Sequence, residues 1–570
     1  RAGTRSRQGD ADEAAALYRE ALALGESVGD DATVATACRE LARMHAAGGE
    51  RDSAVRLAER ALGIDRARGR QRAVVSDLIA LGRLGDGDRL AEALSLARRI
   101  DFAEGQAVAL AELGALDLRA GRFTAARDRA SAAVDLLEAA PDPARGRQEL
   151  IDGPADEERR GAYVTGRGRE EDTGVHVSGA GREALAGAYA TRAAAREELG
   201  DLAEALADAE RAADLHDPRS AAVATLRARA VRLAVRLGRA ATAWSHAERA
   251  RESFPGQEEE VARAVGEDAR RLAGVLPEAT GVLAFHVGDR VSVVAHRDGW
   301  EGPRVFGTSA GPELLAEFAA AAGDGGRAEL WRVVADLLLG DAVEALGDDL
   351  DVLYLLPHGR LHGLPLHALA PDGRPLLDRY AVAYAPSAAT LARLALRRTR
   401  HGGRSLVAGE GEEAEAVATA LGVAPLTVSA RDLEGVWDTV HLACRAAYDG
   451  ADPYASALLL PGGPLTAGVV AELRIEARLV SVGGCEQAPV GAGVTALGHA
   501  LLRAGASAAL LPQWPVRPEV ARTLLPSFHA GLATGGPGEA LRAAMLESRE
   551  RYGASRPDLW APYALIGLAA

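Results

Sequence analysis

Ala477-Arg-Leu-Val-Ser-Val-Gly-Gly-Cys-Glu486 reads as a strand that ends in a cysteine, and Asp438-Thr-Val-His-Leu-Ala-Cys-Arg-Ala446 reads as an earlier strand that ends in a loop. Both are short apolar runs rich in β-favouring residues. Their strand cores are Thr439–Cys444 and Leu479–Val482, and similar runs surround them: Val352–Leu356, Ala381–Tyr384, Ser405–Val407 and Ala508–Leu511. Further upstream, Gly281-Val-Leu-Ala-Phe-His-Val, then Gly288-Asp289, then Arg290-Val-Ser-Val-Val-Ala-His predict a hairpin with a tight turn. Most of these runs are separated by helical or loop stretches. That pattern predicts a mostly parallel sheet covered by helices on both faces. In such sheets chemistry collects at the C-terminal strand ends, which is where Arg445 and Cys485 fall.

The first half of the chain is helical and repetitive. Gly9-Asp-Ala-Asp-Glu-Ala14 leads into Leu17, Ala21 and Leu22, and 40 residues later Gly49-Glu-Arg-Asp-Ser-Ala54 leads into Leu57, Ala61 and Leu62. The same glycine, with alanines five and twelve positions on, recurs at Gly121/Ala126/Ala133, Gly200/Ala205/Ala212 and Gly238/Ala243/Ala250. Glycine ends one helix, and the alanines let the next pack closely. The pattern resembles tetratricopeptide (TPR) repeats with extended helices. Pro141 to Glu183 interrupts it with a Gly-, Pro-, Arg- and acid-rich stretch that predicts a loop or disordered insert.

The 570 residues carry a net charge of −15 with no long basic run, which argues against nucleic acid as the main partner. All 66 basic residues are arginine, so a P-loop lysine or a Schiff-base lysine is excluded. Three cysteines, Cys38, Cys444 and Cys485, form neither a disulfide framework nor a zinc cluster and suit a reducing cytoplasm. No apolar run approaches the ~18 residues of a membrane span. No cofactor or metal is expected.

From about residue 275 onward the chain resembles a CHAT domain, the caspase-related domain often found behind TPR repeats. The resemblance rests on ordered segments: Leu355-Leu-Pro-His-Gly-Arg-Leu-His-Gly-Leu-Pro-Leu-His-Ala-Leu369, Tyr384-Ala-Pro-Ser387, and His441-Leu-Ala-Cys444 followed by Asp452-Pro-Tyr-Ala-Ser-Ala-Leu-Leu-Leu460. Leu479-Val-Ser-Val-Gly-Gly-Cys-Glu486 and Ala504-Gly-Ala506 with Trp514-Pro-Val516 complete them. Ala247-Glu-Arg-Ala-Arg251 resembles the helix that joins the repeats to this domain. The implied division is residues 1–140 TPR-like repeats, 141–183 insert, 184–272 TPR-like repeats with the connecting helix, and 273–570 the CHAT domain. The implied fold is an all-α array followed by an α/β caspase-like domain. The implied chemistry is that of clan CD cysteine peptidases, in which a His/Cys pair cleaves peptides next to a basic or otherwise specific residue after a partner engages the repeats.

Cys485 matches the family's nucleophile position. Arg445 stands where the family has its histidine, and Ala446 where it has the oxyanion-side glycine. An arginine stays protonated, so it neither accepts the thiol proton nor protonates a leaving amine. Its charge would lower the thiol pKa only from within a few ångströms. His441 is the alternative base. On a regular strand it shares a face with Arg445, roughly 13 Å back. His358, His362, His367 and His499 are candidates by residue type alone. Gln487-Ala488 and Arg517-Pro518 also depart from the family's usual Thr-Gly and acidic residue. These departures favour a regulatory pseudo-peptidase that holds a protein or peptide in a TPR groove. The alternatives are an active, partner-regulated cysteine endopeptidase, or a TPR adaptor whose second domain only stabilises the array.

Overall fold

The 40-residue phase of glycine and alanine sets the first half of the molecule. A computed structural model describes residues 11–139, 177–217, 220–251, 260–321, 327–397, 403–486 and 492–570. Its helices α1 (Ala11–Val28), α2 (Asp31–Ala47), α3 (Arg51–Ala67), α4 (Gln71–Arg83), α5 (Gly87–Arg99), α6 (Ala103–Arg119) and α7 (Phe123–Glu138) each pack on the next. Gly49 and Gly121 lie between helices at φ 79° and 71°, left-handed positions that glycine adopts without strain. Ala54, Ala61, Ala126 and Ala133 are fully buried, as close helix packing requires. α8 (Val177–Leu199) packs on α6, α7 and on α9 (Leu202–Leu215), and α10 (Ala221–Arg236) and α11 (Ala240–Arg249) follow. Positions 141–176 of the expected insert lie outside the described residues.

Arginine does the polar work inside this array. Arg39 on α2 reaches Asp65 on α3 and Asp77 on α4, each at 2.7 Å. Asp117 is held by Arg122 and Arg129 at 2.7 Å, and Asp208 by Arg192 and Arg196 at 2.8 and 2.6 Å. Each buried carboxylate thus has a guanidinium partner, without which its desolvation would be costly.

The chain divides into two compact units, one ending at Leu226 and the other running from Arg227 to Ala570. The helices after Arg227 group with the sheet. Arg251 shows how. It is buried and donates to the carbonyls of Leu356 and Pro357 at 3.0 and 2.5 Å and of Phe285 at 3.3 Å, and it pairs with Glu248 at 3.0 Å.

The second unit is built on one mixed, mostly parallel sheet. Its strands are β1 (Thr280–Val287), β2 (Val291–Arg297), β3 (Arg304–Gly307), β4 (Val352–Leu356), β5 (Ala381–Tyr384), β6 (Leu406–Ala408), β7 (Pro425–Leu426), β8 (Gly435–Ala447), β9 (Ala457–Leu460), β10 (Gly463–Thr466), β11 (Ile475–Cys485), β12 (Ala508–Pro512) and β13 (Tyr563–Gly567). The order is β10-β9-β8-β11-β12-β13-β5-β4-β1-β2-β3, with β6 joining β8 and β7. β1 and β2 form the expected hairpin, closing at the Val287–Val291 pair. β4 and β5 match the expected runs residue for residue. β8 does not end in a loop at Cys444. It runs on to Ala447, where Arg445, Ala446 and Ala447 pair with Leu459, Leu458 and Ala457 of β9.

Candidate active site

The parallel pair β8–β11 brings Arg445, Ala446 and Cys485 to neighbouring strand ends. Its register decides which of them can cooperate. His441 pairs with Ser481 and Leu442 with Val482, but Gly484 pairs with Arg445 and Cys485 with Ala446. The register slips between Val482 and Gly484, so positions 443 and 444 together face position 483 in a β-bulge. Carried straight from the His441–Ser481 pair, the ladder would have set Arg445 opposite Cys485. The bulge sets Ala446 there instead.

A one-residue slip turns each later side chain to the other face. Cys485, four residues after Ser481 on an unbulged strand, shares the face of Ser481 and His441. Arg445, paired with Gly484, points to the opposite face and is exposed, whereas Ala446 and Cys485 are buried. This corrects the regular-strand expectation that His441 and Arg445 share a face. Arg445 does not activate the thiol either. Burial pushes the Cys485 thiol up to about 12, and Cys444 is pushed to about 12 by burial and then by Glu413. Ala446 sits within the sheet, and its carbonyl accepts the Glu486 N–H at 3.0 Å.

The bulge is held by its surroundings. Tyr563 Oη donates to the Gly483 carbonyl at 2.6 Å, and Tyr448 Oη donates to the Pro512 carbonyl at 2.7 Å. Gly409, at φ 128°, lies where a Cβ would come within 2.8 Å of the Ala443 carbonyl oxygen. Gly483 leaves room for the Glu413 carboxylate, which a side chain at that position would strike.

His441 is fully buried and lies in a polar chain that the sequence reading did not assemble. Its Nε2 is 3.2 Å from Glu413 Oε1 on α12 (Glu412–Leu421), and its Nδ1 is 2.9 Å from Ser481 Oγ. Ser481 Oγ is 3.1 Å from Nε2 of His529 on α13 (Pro518–Gly531). One proton arrangement satisfies these contacts: His529 Nε2–H donates to Ser481, Ser481 O–H donates to His441 Nδ1, and His441 Nε2–H donates to Glu413. His529 Nδ1 is then left without a partner, consistent with a ring held neutral by burial and the nearby His441. Glu413 escaped notice because Glu412, Glu413 and Glu415 read as an ordinary acidic first turn of a helix.

The other histidines have local partners. His358 Nδ1 accepts the Val287 N–H at 3.1 Å, and its ring lies 4.6 Å from that of His286. His362 meets Thr495 Oγ1 at 2.9 Å, and His367 lies between Tyr384 Oη at 2.8 Å and the Ala561 carbonyl at 3.0 Å. His499 is buried with its Nδ1 3.3 Å from Tyr454 Oη. Gln487 and Ala488 lie outside the described residues. Arg517 and Pro518 open α13 as its N-cap and first helical residue.

Residues 328–436 and 428–568 match the CHAT domain, and residues 1–67 match a tetratricopeptide repeat. No curated protein matches the chain. Among solved structures it is similar to BtubC from P. vanneervenii, at 21% identity over 38% of this chain and 76% of that one, with a TM-score of 0.26. It is similar to the Arg-specific cysteine proteinase gingipain R, at 10% identity over 45% and 73% of the two chains, with a TM-score of 0.31. It is also similar to the separase–securin complex of Saccharomyces cerevisiae, at 9% identity over 100% of this chain and 53% of that one, with a TM-score of 0.43.

Proposed function

We propose that this chain, which carries tetratricopeptide repeats at its N-terminal end and a CHAT domain at its C-terminal end, binds a protein partner through the repeats and uses its caspase-like domain as a regulatory module that does not cleave. The observation that carries the reading is the register at β8–β11. The residue at the family histidine position faces away from Cys485 and is an arginine, and the thiol is buried and protonated. A peptidase of this kind needs a nucleophile and a group that cycles its proton. Position 445 supplies no such group.

The second reading, a cysteine peptidase with His441 as its base, has one observation in its favour: His441 and Cys485 share a face of the sheet. Against it, His441 is fully buried, stands roughly 13 Å back along the strand, and has both ring nitrogens engaged. Incubating the purified full chain with a peptide library and a thiol-directed activity probe separates the two. The expected result is no turnover and no Cys485 labelling. Cleavage that disappears in Cys485→Ala would overturn the proposal.

A further inference from the structure

The end of β1 carries a buried histidine that forms no hydrogen bond with any described residue. Both ring nitrogens of His286 are buried and without a partner among those residues. The ring lies instead against that of His358, with 4.6 Å between centroids and a tilt of 31°. Buried polar atoms without partners cost stability, and phenylalanine would fill the same space without that cost. His358 is placed the opposite way, with both nitrogens committed. Its Nδ1 accepts the Val287 N–H at 3.1 Å, and the other ring nitrogen donates to the Ala250 carbonyl. Val287 is the last residue of β1 and Ala250 is the C-cap of α11, so this one ring ties the two elements together. It does so only while neutral. A proton on Nδ1 would turn the acceptor into a second donor facing the Val287 N–H, and that contact would break.

The surroundings oppose a positive charge on either ring. Arg251, next to Ala250, donates to the carbonyls of Phe285 on β1, of Leu356 on β4 and of Pro357, so a cation already sits at this joint. Arg232 on α10 acts on His286 in the same sense. The nearby carboxylates are committed. Glu248 pairs with Arg251 and accepts the Ala389 N–H at 2.9 Å, and Asp289 pairs with Arg232 at 3.2 Å. His362 is buried with its Nδ1 2.9 Å from Thr495 Oγ1, and Arg360 is exposed. Burial first, and then these cations, hold His286 at about 3 and His358 at about 4.

We propose that His286 and His358 form an acid-released latch: while both rings are neutral the end of α11 is fastened to the ends of β1 and β4, and a proton taken up by either ring lets it go. In the released state both rings meet water and titrate near 6.5. Protons then bind the released state better than the fastened one. The fastening is at full strength above about pH 6.5 and is lost as pH falls below it. The latch lies wholly within the second unit, and its working does not depend on the state of Cys485.

Hydrogen exchange of the full chain at pH 7.5 and 5.5, corrected for the chemical rate, reads the latch. The amides of α11 and of Val287 report its release, and those of Ala509, Leu510 and Leu511 in β12 report opening of the whole unit. Two rings that each titrate near 6.5 on release give a rise of about 100-fold in α11 opening between the two pH values. His286→Phe keeps a ring against His358 but does not titrate, and it is expected to cut the rise to about 10-fold. His358→Gln offers an acceptor to Val287 and a donor to Ala250, and is expected to do the same. The double variant should leave α11 opening nearly independent of pH. Should His358→Gln not fold, as read by circular dichroism, His286→Phe decides alone. Equal opening of α11 and β12 at both pH values, or a rise in α11 opening unchanged by His286→Phe, would overturn the proposal.

Discussion

Cys485 is a nucleophile-type residue kept as a thiol. With its pKa pushed to about 12 by burial, it is held as the thiol at pH 7. Alkylation of Cys485 by iodoacetamide at pH 7.5 is therefore expected to be slower by several orders of magnitude in the folded chain than in urea, as read by peptide mass spectrometry. Labelling at the unfolded rate would show that the thiol is accessible and activated. His441 is constrained differently, because its partners saturate it. Glu413→Ala leaves the buried His441 N–H without its acceptor, at a cost of about 1–3 kcal/mol. Urea unfolding followed by circular dichroism checks this, and an unchanged midpoint would mean that water replaces the carboxylate.

At the scale of the element, the deciding feature is the extra residue in β8. The bulge settles which face positions 445 and 446 present, whatever residues occupy them. Arg445→His with Ala446→Gly supplies the residue pair that the resemblance implies, yet places the imidazole on the face away from Cys485. No Cys485-dependent cleavage is expected from that double variant, and measurable turnover would show that the bulge relaxes. The bulge also depends on Gly409, whose φ of 128° and approach to Ala443 leave no room for a side chain. Gly409→Ala is expected to destabilise the sheet unit by about 1–3 kcal/mol, visible as a lower melting temperature. The TPR array has a matching dependence on small residues, since the fully buried Ala54, Ala61, Ala126 and Ala133 set how closely its helices approach.

For the whole molecule, acid should act on the two units in opposite directions. Burial raises the Asp77 carboxyl to about 7 against the pull of Arg39, and its hydrogen bond with Asp65 pushes it the same way. Between about pH 4 and 7 the folded array then holds a proton that the unfolded chain has lost, so its stability rises as pH falls through that window. In the sheet unit, burial lowers His286 and His362 to about 3 and His358 and His367 to about 4. Unfolded histidines take up protons below about 6.5, so stability contributed by these neutral rings is present above that pH and is lost as pH falls. Hydrogen exchange corrected for the chemical rate, compared at pH 8 and 5.5, should show α2–α4 gaining protection while β4 and β5 lose it. Asp77→Asn should flatten the response of the array, and a parallel shift of both units in the parent protein would contradict the assignment.

Both kinds of architecture are legible in the chain, because each rests on local periodicity. The Gly-to-Ala phase yields helix pairs, and short apolar runs such as Val352–Leu356 and Ala381–Tyr384 become β4 and β5 unchanged. The sequence also put Arg445, Ala446 and Cys485 at strand ends, since strand order along the chain and motif spacing survive folding. β10 was not legible, because Gly463 and Pro464 disguise it, and the short β13 offers no alternation to read. Folding alone sets Arg445 and Cys485 on opposite faces and locks His441 between Glu413 and Ser481. Each depends on more than one segment of the chain: a ladder whose register is fixed by pairing, and a helix laid over the sheet. A side chain's face is set by which residue it pairs with, and pairing partners are not written within reach of any local pattern.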